Sequence, residues 1–223
     1  MEDSLLGRAT RLPKPTVVYG FDPLCGWCFG YGPAFAEIQR ELEGEFDFEL
    51  ACGGLVTGDR VRAVRHDADY LRAGLQQVEE RTGVKAGRAF LEGLLAEGNY
   101  VSNSVPLIEA IHAATELNGD AAFGFGYGLA VAFYQDGLPP DHPDTIARVA
   151  EQHGLDADAL MHLWQHPTRR ASTGAWMDEA RRSGVTTYPS LLLRPHSDAG
   201  LLPLTAGAVT SAEAIALIRT AAI

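Results

Sequence analysis

Residues 16–28, TVVYGFDPLCGWC, constrain the fold more than any other stretch of the chain. Thr16 to Phe21 is β-branched and aromatic, which predicts a short buried strand. From Cys28 onward Phe29, Phe35, Ile38 and Leu42 fall near helical spacing, with Glu37, Gln39, Arg40 and Glu41 largely opposite. Gly30, Gly32 and Pro33 interrupt the first turns of that helix and predict a kink near Pro33. Phe46 to Leu50 alternates as a second strand ending near Ala51 and Cys52, stopped by Gly53 and Gly54. Strand, helix and strand with so short a connection make a βαβ unit, whose two strands run parallel. Cys25 and Cys28, separated by two residues, therefore fall where a strand hands over to a helix.

The middle of the chain differs. From about Gly58 to Ser183 no convincing strand is legible. Helical segments are expected at about 59–82, 85–97, 104–118, 120–136, 141–152, 156–165 and 168–182. Their ends are marked by Gly119-Asp120, Gly137-Leu-Pro-Pro and Gly154-Leu-Asp. No fixed-period repeat is present. After Gly184 the strand signal returns in Tyr188-Pro189-Ser190-Leu191-Leu192-Leu193, with Leu201 to Leu204 as a hairpin partner. A terminal helix then runs from about Ser211 to Ala221, with Ser211 as its N-cap.

Composition removes several functions. The 223 residues are 46% apolar and 21% charged, which suits an ordered globular protein. The formal charge is −11 and lysine occurs only at Lys14 and Lys85, which argues against nucleic acid as a partner. Arg60, Arg62, Arg65, Arg169, Arg170, Arg181 and Arg182 are interspersed with acids and read as solvated faces. MEDSLLGRATRLPKP lacks the apolar core of a signal peptide, and no run is long enough for a membrane helix. Three cysteines form a poor disulfide framework for a secreted protein, so the expectation is a soluble protein of the cytoplasm. The seven histidines are scattered without zinc-ligand spacing to the cysteines, so no metal is expected. Gly124, Gly126 and Gly128 follow no strand and form no dinucleotide fingerprint. Tyr100, Asn103, Ser104, Phe123, Phe125 and Tyr127 suit either a groove between the two parts or simple helix packing.

In a reducing compartment a Cys-x-x-Cys pair is reactive or metal-binding rather than structural. Disulfide exchange needs one thiolate to attack and a second thiol to resolve the mixed disulfide. Cys25 precedes the helix, where unpaired N–H groups and the positive helix end favour an anion. Cys28 lies one turn on and deeper. This assigns Cys25 as nucleophile and Cys28 as resolving thiol. Gly26 and Trp27 between them carry no charge, and Trp27 suits a substrate platform or a packing role equally. Asp22 has two readings: a cap on the turn leading into the helix, or a proton acceptor for Cys28. Cys52, ending the second parallel strand on the same sheet edge, is either a small buried residue or a third redox thiol.

FDPLCGWCFG, FDFELACGGL and GVTTYPSLLL, in that order around a helical stretch, resemble the DsbA-like branch of the thioredoxin superfamily, in particular its cytoplasmic FrnE-type members. HPDTIARVAEQHGLDADAL followed by EARRSGVTTYP is similar to the segment before that family's proline loop. The resemblance covers the chain from about residue 15. It implies an α/β thioredoxin fold (βαβ…ββα) with a large inserted all-helical domain. The expected division is an N-terminal arm at 1–14, a thioredoxin-like domain at 15–58 and 184–223, and the insertion at 59–183. It also implies a cis Tyr188–Pro189 bond facing the cysteines, leaving the Tyr188 backbone free to pair with an extended substrate.

The expected function is thiol–disulfide exchange with a disulfide-containing protein or a small thiol such as glutathione, without a bound cofactor. Kappa-type glutathione transferases and chromene-carboxylate isomerases look like the same architecture but lack the second cysteine, which Cys28 supplies here. A non-enzymatic thiol metal binder or holdase is the third reading.

Overall fold

The computed structural model describes residues 14–196 and 199–222. The expected N-terminal arm lies outside the described residues apart from Lys14. The chain opens with strand β1 (Thr16–Gly20), helix α1 (Gly26–Glu41) and strand β2 (Asp47–Ala51). β1 and β2 are parallel, in register from Thr16 opposite Asp47 to Gly20 opposite Ala51. The chain closes with β5 (Ser190–Arg194), β6 (Leu202–Ala206) and helix α9 (Ser211–Ala221), separated from the opening by the elements numbered between them. β5 runs antiparallel to β1 and β6 antiparallel to β5, giving the order β2-β1-β5-β6. This is the α/β thioredoxin fold with a helical insertion that the motif order implied.

Period-two alternation sorts β1 between two apolar clusters. Val17 and Tyr19, with Phe21 just beyond, enter the main core with Phe29, Phe35 and Ile38 of α1 and Leu191 and Leu193 of β5. Val18 enters a smaller cluster on the other face with Ala180, Val185 and Leu192. The helix α1 is assigned without a break across Pro33, which is solvent-exposed.

The intervening stretch supplies α2 (Ala68–Thr82), α3 (Leu95–Glu97) preceded by a π-helical turn at Ala89–Leu94, α4 (Ser104–Leu117), α5 (Gly119–Tyr134), α6 (Pro143–Gln152), α7 (Ala157–Trp164) and α8 (Arg169–Arg182). The same main core continues into it through Leu107, Ile111, Phe125, Leu129 and Phe133. Gly124 and Gly128 stand one turn apart against His153. A Cβ at either position would come within 2.7 or 2.8 Å of its ring nitrogens. The glycine alternation in α5 thus serves close helix packing.

Three expectations need correction. Residues 59–67 are not helical throughout: two single 3₁₀ turns flank β3 (Arg62–Ala63). β3 pairs antiparallel with β4 (Val101–Ser102), so the insertion does contain a strand pair. A two-residue ladder has no period to read. The cap of α9 is Thr210 rather than Ser211. The Thr210 hydroxyl accepts the Glu213 N–H at 3.2 Å, and the Glu213 carboxylate accepts the Thr210 N–H at 2.9 Å. That reciprocal box was written in the sequence as Thr-x-x-Glu.

Candidate active site

The site forms where β1 ends. Asp22, fully buried, receives three hydrogen bonds there. Its Oδ1 accepts the Leu24 N–H at 2.9 Å and the Ser104 hydroxyl at 3.0 Å, and its Oδ2 accepts the Leu55 N–H at 2.7 Å. One carboxylate thus joins the turn before α1, the loop after β2 and the start of α4. Ser104 in turn accepts the Val56 N–H at 2.9 Å and donates its own N–H to the Val56 carbonyl at 2.9 Å. Burial pushes the Asp22 carboxyl up to about 6, against the pull of those three bonds.

Cys25 is the N-cap residue of α1, with extended backbone angles (φ −89°, ψ 112°) and no side-chain capping bond. Its sulfur is therefore at the helix N-terminus, where no acidic residue occupies the first turn. The thiol donates to the carbonyl of Tyr188 at 3.5 Å. The Tyr188–Pro189 bond is cis, so the proline loop reaches the cysteine pair from the start of β5.

Cys28 is one turn on and wholly buried, whereas 5% of Cys25 is exposed. Burial holds the Cys28 thiol well above its ordinary range, and the neighbouring Cys25 adds to this. The Asp22 backbone amide works in the opposite direction. Both cysteines are free thiols. Two phenols flank the pair from the core. Tyr134 of α5 donates its hydroxyl to the Leu24 carbonyl at 2.6 Å. Tyr19 of β1 packs on Tyr31 and Phe35, on the face of α1 that carries Cys28.

Cys52 lies just past β2, fully buried, with burial first and then the Asp22 charge pushing its thiol up. Asp22 and Tyr188 are the ionisable side chains it faces. Gly53 beside it lies against the Tyr188 hydroxyl, and a Cβ there would come within 2.5 Å of that oxygen. Glycine therefore admits the tyrosine ring.

A groove of about 290 Å³ opens beside Cys25. Leu24, Trp27, Leu55, Val56 and Leu71 give it apolar walls, and Arg60, Arg62 and the exposed Tyr70 stand at its edge. Arg62 forms an ion pair with Asp67, while Arg60 donates to the Leu55 carbonyl at 3.0 Å. These two arginines, read from sequence only as solvated charge, border the nucleophile. Their placement comes from the 3₁₀ turn and β3, which are too short to carry a readable period. A larger hollow of about 700 Å³ runs along edge strand β2 and includes neither cysteine.

Of the six residues that suited either a groove or helix packing, most are packed in the helices or at their ends. Phe123 and Phe125 are buried in the core, Tyr127 stacks on Phe123, and Tyr100 packs on Phe133. Asn103 caps α4. Ser104 alone of the six enters the site, as a partner of Asp22. Among the described residues no cluster of three or more His, Cys, Asp or Glu side chains is arranged to hold a metal ion.

Comparison with known proteins finds the same fold among solved structures. Among solved structures, the cytosolic disulfide reductase DsbM from Pseudomonas aeruginosa is 27% identical at a TM-score of 0.70, over 85% of this chain and 89% of that one. Its structure with glutathione superimposes at a TM-score of 0.68 with 25% identity, over the same shares of the two chains. A proposed protein disulfide isomerase from Nitrosomonas europaea shares the fold at a TM-score of 0.79 and 21% identity, over 93% of this chain and 97% of that one. No curated protein matches. The pattern of the DSBA-like thioredoxin domain matches residues 16–197, and the chain belongs to that family of thiol–disulfide oxidoreductases.

Proposed function

We propose that the protein exchanges disulfides through Cys25 and Cys28, with Cys25 as nucleophile. The observation that carries this is the position of the Cys25 sulfur: at the N-terminus of α1, 3.5 Å from the Tyr188 carbonyl, and at the mouth of a groove. As a thiolate, Cys25 attacks a substrate disulfide R–S–S–R′, forming a Cys25–S–S–R bond and releasing R′S⁻. Cys28 then loses its proton and attacks the Cys25 sulfur. The Cys25–Cys28 disulfide forms, and RS⁻ leaves and takes up that proton. The substrate gains two electrons and the protein loses two, so an external thiol must restore the dithiol. The Tyr188 backbone, Gly26 and Trp27 stand where an extended substrate segment would lie, and Pro189 fixes that loop.

In a reducing cytoplasm the net direction is reduction or isomerisation. The substrate is a disulfide-containing protein or a small thiol adduct. Glutathione is favoured among small thiols because the groove is small and bordered by Arg60 and Arg62, which suit its carboxylates. Insulin reduction in the presence of dithiothreitol is the test. Wild type is expected to turn over, Cys25→Ser to lose all catalysed turnover, and Cys28→Ser to stop at the mixed disulfide. Turnover that survives Cys25→Ser would refute the reading.

A further inference from the structure

We infer that Tyr19 is a working part of the resolving step: its hydroxyl donates to the Cys28 sulfur as that sulfur becomes a thiolate. The inference rests on the thiol–disulfide reading above. Tyr19 is wholly buried on β1, and its ring is held on several sides. It stacks on Phe35 at 4.0 Å, tilts against Phe21 and Tyr31 at 5.7 and 6.1 Å, and meets the edge of Phe123 at 5.9 Å. So enclosed, the ring has no room to carry its hydroxyl elsewhere. Tyr31 and Phe35, which pack on the ring, share the face of α1 that carries Cys28, and Cys28 is the first charge to act on the phenol. The hydroxyl is buried and makes no hydrogen bond of ordinary geometry to any atom of the described residues.

A buried hydroxyl without a partner is unfavourable, and phenylalanine would fill the same space without that cost. Tyr134, the other phenol at the pair, has its partner in the Leu24 carbonyl. Tyr19 gains one only during turnover, because a thiol is a weak acceptor and a thiolate a strong one. An interaction made in the reacting state and absent from the resting state speeds the step in which it forms. The charge forming on Cys28 is otherwise faced by Cys25 and by Asp22, whose backbone N–H favours it and whose carboxylate opposes it, while Tyr134 is spent on Leu24. Tyr31 faces Tyr19 from the next turn of α1. In the step itself the Cys28–Cys25 bond forms, the Cys25–SR bond breaks, and the Cys28 proton ends on the departing thiol. Tyr19 keeps its own proton.

Tyr19→Phe tests this with oxidised glutathione as the probe. Reduced protein is mixed with it, the reaction is acid-quenched, and the Cys25–glutathione adduct is followed by mass spectrometry across pH. Loss of a hydrogen bond to a charged sulfur moves the pH profile of adduct decay upward by about one to two pH units. The higher intrinsic nucleophilicity of the more basic thiolate offsets about half of this, leaving decay near pH 7 about three- to tenfold slower. Thermal stability is expected to hold or rise, because an unpaired hydroxyl is removed. An unchanged decay profile, or a clear fall in stability, would overturn the inference and make Tyr19 a core residue. Wild type that forms no adduct at Cys25 would instead remove the thiol–disulfide reading, and this inference with it.

Discussion

Two carboxylates near the ends of α4 are held in opposite ways. Asp22, bound by Ser104 at the start of α4, is wholly buried and its three partners are neutral: two backbone amides and a hydroxyl. Glu116, near the helix end, is paired by two bonds at 2.9 and 2.8 Å with Arg169, whose side chain is only 6% exposed and also donates to the Leu163 carbonyl. The arginine holds the Glu116 carboxyl below its usual range, while burial raises that of Asp22 to about 6. A charge matched by a countercharge fastens α4 to α8. A charge held only by dipoles is kept at a standing cost, and it sits beside the reacting sulfurs. Uncompensated burial of a titratable group is what separates the site from the scaffold here.

Substitutions can break this comparison or sharpen it. The largest effect is expected from Asp22→Asn. Asp22 has a folded value near 6 and an ordinary value of 3.8, so the native state binds the additional proton. Its contribution is fully favourable below about pH 4 and is lost as pH rises through 6, which makes the wild type less stable at pH 7 than this group allows at pH 4. Asp22→Asn should flatten that slope in urea melts and stabilise the protein at pH 7 by up to about 3 kcal/mol. The gain will be smaller because the amide has one acceptor oxygen where the carboxylate has two. If the carboxylate is a cap, adduct decay in this variant is no slower than in wild type. A loss of tenfold or more would make it the proton acceptor for Cys28.

Glu116→Ala should cost about 2 kcal/mol, since it strands the buried Arg169. The figure is held low because 44% of the Glu116 side chain is exposed. Turnover per folded molecule should be unchanged. A fall in turnover would show that the helix network communicates with the site and would erase the contrast. Ser104→Ala should cost about 1 kcal/mol at pH 7 and less at pH 4, where Asp22 is protonated and needs its donors less. Equal losses at both pH values would remove Ser104 from the electrostatics of Asp22. The smallest effect is expected from Cys52→Ser. Insulin turnover and the oxidised species should match wild type, because burial holds that thiol protonated. Altered disulfide species would make it a third redox thiol.

Much of the frame was legible because it was local. Val17, Tyr19 and Phe21 alternate over a few residues, Phe29, Phe35 and Ile38 repeat at helical spacing, and Cys25 with Cys28 spans one helical turn. Asp22 was legible as a cap because Leu24 is two residues away. Its bonds to Leu55 and Ser104, 33 and 82 positions distant, were not. Nor was the strand pair of β3 and β4, which brings Arg62 opposite Ser102 across forty positions of sequence.

The sequence by itself determined the parallel βαβ start, the cysteine pair at a helix N-terminus and the proline before a buried strand. Each is a periodicity or a spacing that backbone geometry enforces within one element. Tertiary structure alone decided that the Asp22 carboxylate meets no cation among the described residues, that Arg60 and Arg62 border the groove, and that the Tyr19 hydroxyl is buried without a partner among them. Those facts depend on which elements pack together, and the free energy of burying a charge or a hydroxyl is set by the neighbours that packing supplies.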